Sequence, residues 1–264
     1  HFSFLRKPLF CYSFILHRVD TNQDEVEVAL ELIKEKRLKG IVFLGGNFAR
    51  QGDKLKEIEV PFILSTIAMS DNVDKNLYSS VCVDDRKESE KAVKFLCDKG
   101  HKKIAVLAAG KSDQSISKLR IEGYRNALKS KGIDINEKLI RHTKNNENIQ
   151  VIENGYKLMN ELLESGEEFT AVYSISDSMA IGACKAILDS GKRIPQDYSV
   201  VGFDGLDITY YYNPSITTIR QPVEAMARET TKILFDLINN KATNQHKVFE
   251  AELVERESTL KLSK

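Results

Sequence analysis

Short uninterrupted apolar runs alternate along this chain with longer stretches in which apolar side chains recur at helical spacing. A short apolar run bounded by turn residues reads as a strand buried on both faces, and i, i+3, i+4, i+7 spacing reads as an amphipathic helix. Strand and helix in regular alternation are the mark of an α/β protein. Residues 11–16 read as a first strand, and Val26, Ala29, Leu30 and Ile33 mark one face of a helix. Residues 41–44 form an apolar run ending at Gly45-Gly46, residues 61–64 form another, and residues 79–83 lead into Asp84-Asp85. The following helix turns Ser89, Ala92, Val93 and Leu96 inward, with Gly100 placed to close it.

The pattern then restarts. Residues 103–109 read as a strand and are followed by a helix with Ile116, Leu119 and Gly123 on one side. Residues 139–142 form a short strand, and Ile152, Gly155, Met159 and Leu162 a helical stripe. Residues 171–175 end at Ser176-Asp177, ahead of a helix through Met179, Ala180, Ala183 and Ile187. Strands follow at residues 198–203 and 216–219, then a helix from Pro222 to about Asn239, and a last strand over residues 248–253. Pro222 suits a first helical turn, where its missing N–H costs nothing. Two consecutive βα runs predict two similar lobes, and the absence of a Pro- or Ser-rich linker predicts that strands join them. Residues 143–148 are polar throughout and read as loop.

At 264 residues, 42% hydrophobic and 29% charged, the chain can bury a sizeable core and has the balance of a globular protein. Its 39 basic and 38 acidic residues give a formal charge of +1, which is no electrostatic footprint for nucleic acid or an anionic membrane. Any action on DNA is therefore expected from a segment outside this sequence. Cys11, Cys82, Cys97 and Cys184 are widely spaced, which predicts reduced thiols and neither a metal site nor a disulfide framework. No run reaches the length of a membrane span, and the first residues lack a signal-peptide pattern, so a cytoplasmic location is expected.

Enzyme motifs fail on inspection. Gly110-Lys111-Ser112 follows a strand, but a phosphate-cradling loop needs a glycine where Ala105 stands inside that strand. The same stretch ends in Gln114 and so makes no nucleophile elbow. The five histidines are scattered, and His101, between a helix and a strand, reads as structural or surface.

Polar residues at strand ends are more informative. In an open α/β sheet, ligands bind outside the carboxyl ends of the strands. Asp85, Ser176-Asp177 and Asp204 each follow closely on an apolar strand, and Arg120 lies on the first helix of the second half. Acids around an arginine fork suit a neutral polyhydroxylated ligand, whose hydroxyls donate to carboxylates and accept from guanidinium. Each acid also has a plainer reading. Asp204-Gly205 favours a turn, and Asp85, Ser176 or Asp177 could simply cap a helix.

These residues, with their order, resemble the effector-binding core of the LacI/GalR family of bacterial transcription regulators. The resemblance runs from about Cys11 to Thr259. It rests on Val83-Asp84-Asp85, Gly100-His101-Lys102-Lys103-Ile104-Ala105, Arg120 with Gly123-Tyr124, and Phe169-Thr170-Ala171. Asp177-Ser178-Met179-Ala180-Ile181-Gly182, Val200-Val201-Gly202-Phe203-Asp204, Pro214 with Thr217-Thr218-Ile219, Gln221-Pro222 and Arg256 with Ser258-Thr259 complete it. It implies an α/β fold of two Rossmann-like lobes with parallel sheets joined by three crossover strands, as in type I periplasmic binding proteins. The implied lobes are residues 1–99 with 220–246, and residues 100–219 with 247–264. The crossings are expected near residues 99–102, 218–221 and 246–248.

By the same resemblance, Arg120, Ser176, Asp177 and Asp204 would contact the effector from the second lobe and Asp85 from the first. The implied partners are a small-molecule effector, of carbohydrate type, and operator DNA bound through an N-terminal helix-turn-helix outside this chain. A homodimer is implied, and no cofactor, metal, membrane or enzymatic activity.

Three features depart from the family pattern. The first strand and helix of the first lobe are not legible in residues 1–10, Ser176 and Gly205 differ from common family residues, and residues 144–151 hold no aromatic platform. Tyr210 to Tyr212 are the substitute platform expected. Replacing Asp204 or Arg120 by alanine is expected to abolish effector binding and leave the fold intact. The rival reading is the sugar-binding protein of an ABC transporter; a nucleotide-dependent enzyme is a third.

Overall fold

The computed structural model describes residues 12–20, 23–46, 54–67, 73–110, 116–144 and 151–262. Its first half contains α1 (Glu25–Lys36), β1 (Ile41–Leu44), β2 (Phe62–Ser65), β3 (Ser79–Val83) and α2 (Asp85–Asp98). Next come β4 (Ile104–Ala108), α3 (Ile116–Ser130), β5 (Ile140–His142), α4 (Ile152–Glu164), β6 (Ala171–Ser174) and α5 (Asp177–Asp189). The chain ends with β7 (Ser199–Asp204), α6 (Ile208–Tyr211), β8 (Thr217–Arg220), α7 (Val223–Ile238), β9 (His246–Phe249) and β10 (Glu252–Val254).

Two sheets result. The first has the order β1-β2-β3-β9 and is parallel throughout. The second has the order β10-β8-β7-β6-β4-β5 and is parallel except for β10, which runs antiparallel to β8. From β4 the chain builds outward to β5 on one side and to β6, β7 and β8 on the other. That reversal makes the carboxyl ends of β4 and β6 the switch point, where a crevice opens in a doubly wound sheet.

Side-chain pattern accounts for the layers. β4, β6 and nearly all of β7 are buried on both faces, as a parallel sheet covered by helices requires. Close helix contacts are set by glycine. A Cβ on Gly123 of α3 would lie 2.8 Å from Ser89 Cβ and 2.9 Å from Glu90 N of α2, and one on Gly155 of α4 would lie 2.6 Å from Met179 Cα of α5. His101 is buried, with Nδ1 2.9 Å from Thr170 Oγ1 and Nε2 3.1 Å from Leu260 O, so it ties three segments together. The free thiols Cys82, Cys97 and Cys184 are at least partly buried, and Cys11 lies outside the described residues. No helix among the described residues is long and apolar enough to cross a membrane.

Four expectations change. Residues 12–16 form no strand, and Phe14 and Leu16 are exposed; a strand needs a neighbour for its backbone groups, and none pairs with them among the described residues. The single strand expected over residues 248–253 is two strands in different sheets, β9 beside β3 and β10 beside β8. The chain therefore recrosses at Glu250-Ala251, a few residues beyond the expected point. The first crossing also moves, because α2 packs on α3, β6 and β8 and so joins the second sheet. The chain leaves the first sheet right after Val83, not near residue 99. Finally, α6 was not foreseen.

Candidate functional site

The strand-end polar residues converge at the switch point. Arg120 lies on the inward face of α3 with Ser117, Gly123 and Tyr124, while Leu119, expected inward, is only half-buried. A buried guanidinium needs partners for its donors. Nε donates to Asp85 Oδ1 at 2.8 Å, and Nη1 donates to Ile175 O at 2.5 Å, just beyond β6, and to Asp204 Oδ1 at 3.2 Å. Its plane lies over the Phe203 ring, 3.6 Å from the centroid. Burial works against the charge, but Asp85 and Asp204 outweigh it and hold the pKa above the usual arginine value.

Asp85 is the first residue of α2, whose cap is Asp84, so its own side chain is free to turn toward Arg120. Burial pushes the Asp85 carboxyl up, against the pull of Arg120. Asp204 ends β7 with φ 122°, which side-chain-bearing residues rarely adopt. Its carboxyl is likewise raised by burial, countered by Arg120 and by Gln221, whose Nε2 donates to Asp204 Oδ1 at 3.1 Å. The Asp204 side chain remains 24% exposed, against 3% for Arg120 and 7% for Asp85. The Asp177 backbone N–H also supports the Asp204 carboxyl.

Ser176 and Asp177 sit one step back. Ser176 caps α5, its Oγ accepting from Met179 N at 3.3 Å. Asp177 is fully buried; Oδ2 accepts from Gly205 N and Leu206 N, both at 2.7 Å, and Oδ1 accepts from Thr218 Oγ1 at 2.6 Å. Burial pushes its carboxyl up to about 7, against those three hydrogen bonds. The structure thus brings Asp85, Arg120 and Asp204 into direct contact and places Ser176 and Asp177 behind them. The capping reading holds for Ser176. Gln221 was missed, though it stands just past the end of β8, where the rule that selected Asp204 also applies.

Two sequence expectations do not fit this geometry. With α2 on the second sheet, Asp85 comes from that side of the molecule and not from the first lobe. Nor do the tyrosines supply a platform beside Asp204. Tyr211 is exposed, and Tyr210 faces Arg256, which is bonded to Ile216 O near the opposite end of β8. Lys111 and Ser112 lie outside the described residues. A surface cavity of about 510 Å³ lies at the other edge of the second sheet, lined by Lys102, Lys103, Asn136 and Glu167 among others.

Chemically, the cluster sets Asp85 and Asp204 against one guanidinium, with both Asp177 oxygens already satisfied behind them. The partly exposed Asp204 carboxylate suits a ligand that brings hydroxyl or amine hydrogens. A two-sheet α/β protein with a polar cluster at its switch point has the arrangement of a ligand-binding domain.

Comparison with known proteins makes this specific. The family profile of the periplasmic binding protein-like domain matches residues 93–259. The HTH-type transcriptional regulator MalR of Clostridium butyricum is 40% identical over 249 residues, covering 94% of this chain and 72% of the relative. Among solved structures, a transcriptional regulator CelR–cellobiose complex superposes with a TM-score of 0.77 at 28% identity, over 89% of this chain and 70% of that one. A LacI family regulator from Enterococcus faecium with bound ribose gives 0.76 at 26% identity, over 92% and 87%. The chain belongs to the LacI family of transcriptional regulators, as their periplasmic binding protein-like effector domain. These relatives are regulators, not enzymes.

Proposed function

We propose that this domain binds a carbohydrate effector at the Asp85–Arg120–Asp204–Gln221 cluster and passes the resulting closure of its two sheets to a DNA-binding segment of the same regulator. The observation that carries the reading is the partly exposed Asp204 carboxylate, held by Arg120 and Gln221 where the chain crosses between sheets. The exposed part of this carboxylate accepts a sugar hydroxyl; Ser176 and Asp177 support this contact from behind. The cellobiose and ribose bound by the two structural relatives support a sugar over other effectors. The sheets act as two lobes, with crossings at residues 83–85, 220–223 and 249–252. The regulator works in the cytoplasm as a homodimer on operator DNA.

A thermal-shift panel of mono- and disaccharides, cellobiose and ribose included, tests the reading. A ligand at about 100 times its Kd adds roughly 2.7 kcal/mol, or about 5–11 °C at 2–4 °C per kcal/mol. The expected result is a shift with at least one sugar that disappears in Asp204→Asn while the unliganded melting point holds. A full shift in Asp204→Asn removes the site, and no shift with any sugar removes the effector class.

A further inference from the structure

We infer that Asp177 is a positioning residue: without meeting the effector, its carboxylate clamps the turn after β7 and so fixes where Asp204 presents its own. This rests on the reading of Asp204 as the effector contact. Both Asp177 oxygens are committed inside the protein. Oδ2 gathers the N–H groups of the two residues that follow Asp204, and Oδ1 takes the Thr218 hydroxyl on the neighbouring strand. No part of Asp177 reaches the surface.

The turn it holds would not keep this shape unaided. Asp204 at φ 122° occupies a region that residues with side chains rarely adopt, and such a conformation persists only when its surroundings over-determine it. Four contacts do so here. Two are the amide bonds to Asp177 Oδ2, and a third is the Gln221 N–H bond to Asp204 O at 3.1 Å. The fourth is steric. Gly205, at φ 81°, lies so close to β8 that a Cβ would come within 2.5 Å of Arg220 Cα. Gly202 matters for the same reason, because a Cβ there would collide with Asp177 Oδ1. Asp177 itself is anchored as the first residue of α5, behind the Ser176 cap.

The plainer possibility is that Asp177 only stabilises the start of α5, as an acid near a helix N-terminus does. The two make different predictions for a residue twenty-seven positions away (Asp204; 204 − 177). The test compares wild type, Asp177→Asn and the milder Thr218→Val by NMR, following the Gly205 and Leu206 amides, the Asp204 carboxyl carbon and the Gln221 side-chain amide. Above pH 7, where the Asp177 carboxyl is ionised, the two backbone amides in Asp177→Asn are expected to lose the downfield position of charge-assisted bonds, and the Asp204 and Gln221 signals to move with them. Thr218→Val is expected to move the same signals less.

Unmoved Asp204 and Gln221 signals in a folded Asp177→Asn protein overturn the inference; so do unmoved Gly205 and Leu206 amides. Should Asp177→Asn not fold, Thr218→Val alone decides by the same criterion. For any sugar that shifts the wild type, Asp177→Asn is expected to raise Kd about tenfold or more, and an unchanged Kd also overturns positioning. If no sugar binds wild type, the effector reading fails, while the NMR comparison still decides whether Asp177 sets Asp204.

Discussion

Removing the Arg120 side chain should damage the fold itself, contrary to the sequence-based expectation that Arg120→Ala leaves it intact. The side chain is 3% exposed, and its principal partner, Asp85, is 7% exposed. Without the guanidinium, Asp85 is a buried carboxylate with no counter-charge. Breaking a buried pair from one side costs about 3–5 kcal/mol. An independent bound agrees. Asp85 can escape the penalty by taking up a proton, and holding an aspartic acid of ordinary pKa near 3.9 protonated at pH 7 costs about 3.1 × 1.36, or roughly 4 kcal/mol. Arg120→Ala should therefore melt about 6–20 °C lower at pH 7.

The same reasoning fixes a pH signature. In the variant, folded Asp85 holds a proton that the unfolded chain releases above its ordinary pKa. The folded state binds more protons, so stability falls as pH rises between about 4 and 7, by up to about 1.4 kcal/mol per pH unit. Replacing both partners by apolar residues of similar volume, Arg120→Met with Asp85→Leu, should recover most of the loss. Urea denaturation of the three variants at pH 5 and pH 7 checks this. A single variant within about 1 kcal/mol of wild type at pH 7 refutes the reasoning, as does a double variant no more stable than the single.

Asp177 should make wild-type stability fall as pH rises. Its folded carboxyl titrates at about 7, above the ordinary aspartate value of 3.8, so the folded state holds the extra proton between those values. The loss is on the order of 4 kcal/mol at most across that window; Asp177→Asn should flatten the slope, and an equal slope in both proteins by urea denaturation refutes the assignment. Gly155→Ala should destabilise by about 1–3 kcal/mol although alanine is the better helix former, because its Cβ meets the α5 backbone. A melting point at or above wild type would show that α4 and α5 can separate without cost.

Much of this fold is legible in the sequence because each parallel strand is a nearly pure apolar run and each covering helix a clean stripe. β1 and β3 match their expected limits, and α5 begins at the expected Ser176-Asp177. What is not legible follows from what periodicity omits. The stripe of α2 says that one face is buried but not on which sheet, so nothing local could correct the first-lobe placement of Asp85 that the resemblance implied. Residues 248–253 are apolar enough for one strand, yet Glu250-Ala251 carries the chain between sheets, clasped by Glu88 to Ala251 N at 3.3 Å and Lys91 to Ala251 O at 2.7 Å. That clasp is tertiary and leaves no local signal. Arg120 was recognised as a site residue from its place on a helix, but its depth was not; only packing reveals that it is buried beneath the site.

Placing Asp85 on the second sheet leaves a gap that the remaining geometry fills. Arg120, Asp85 and Asp204 all stand on elements packed with that sheet, so in the proposed switch contacts to them alone favour neither an open nor a closed arrangement. Shifting a two-state switch nearly completely requires a preference of about 10⁴-fold, roughly 5.5 kcal/mol, and that must come from contacts on the first sheet. Its matching edge is the carboxyl ends of β1 and β2. There Gly45 and Gly46 take φ 72° and 111°, and Thr66 takes φ 56°. A β-branched residue in the left-handed region is a genuine outlier, and such strain collects at ligand clamps and switches. Thr66→Gly should relieve about 1 kcal/mol of backbone strain, offset in part by glycine's larger unfolded-state entropy, so the unliganded melting point should hold or rise. If Thr66 helps to form the first-sheet half of the site, the sugar-induced thermal shift should shrink in the same variant. A full shift with a raised melting point would place the clamp elsewhere, and a melting point lowered by several degrees would show that the threonine side chain serves the fold.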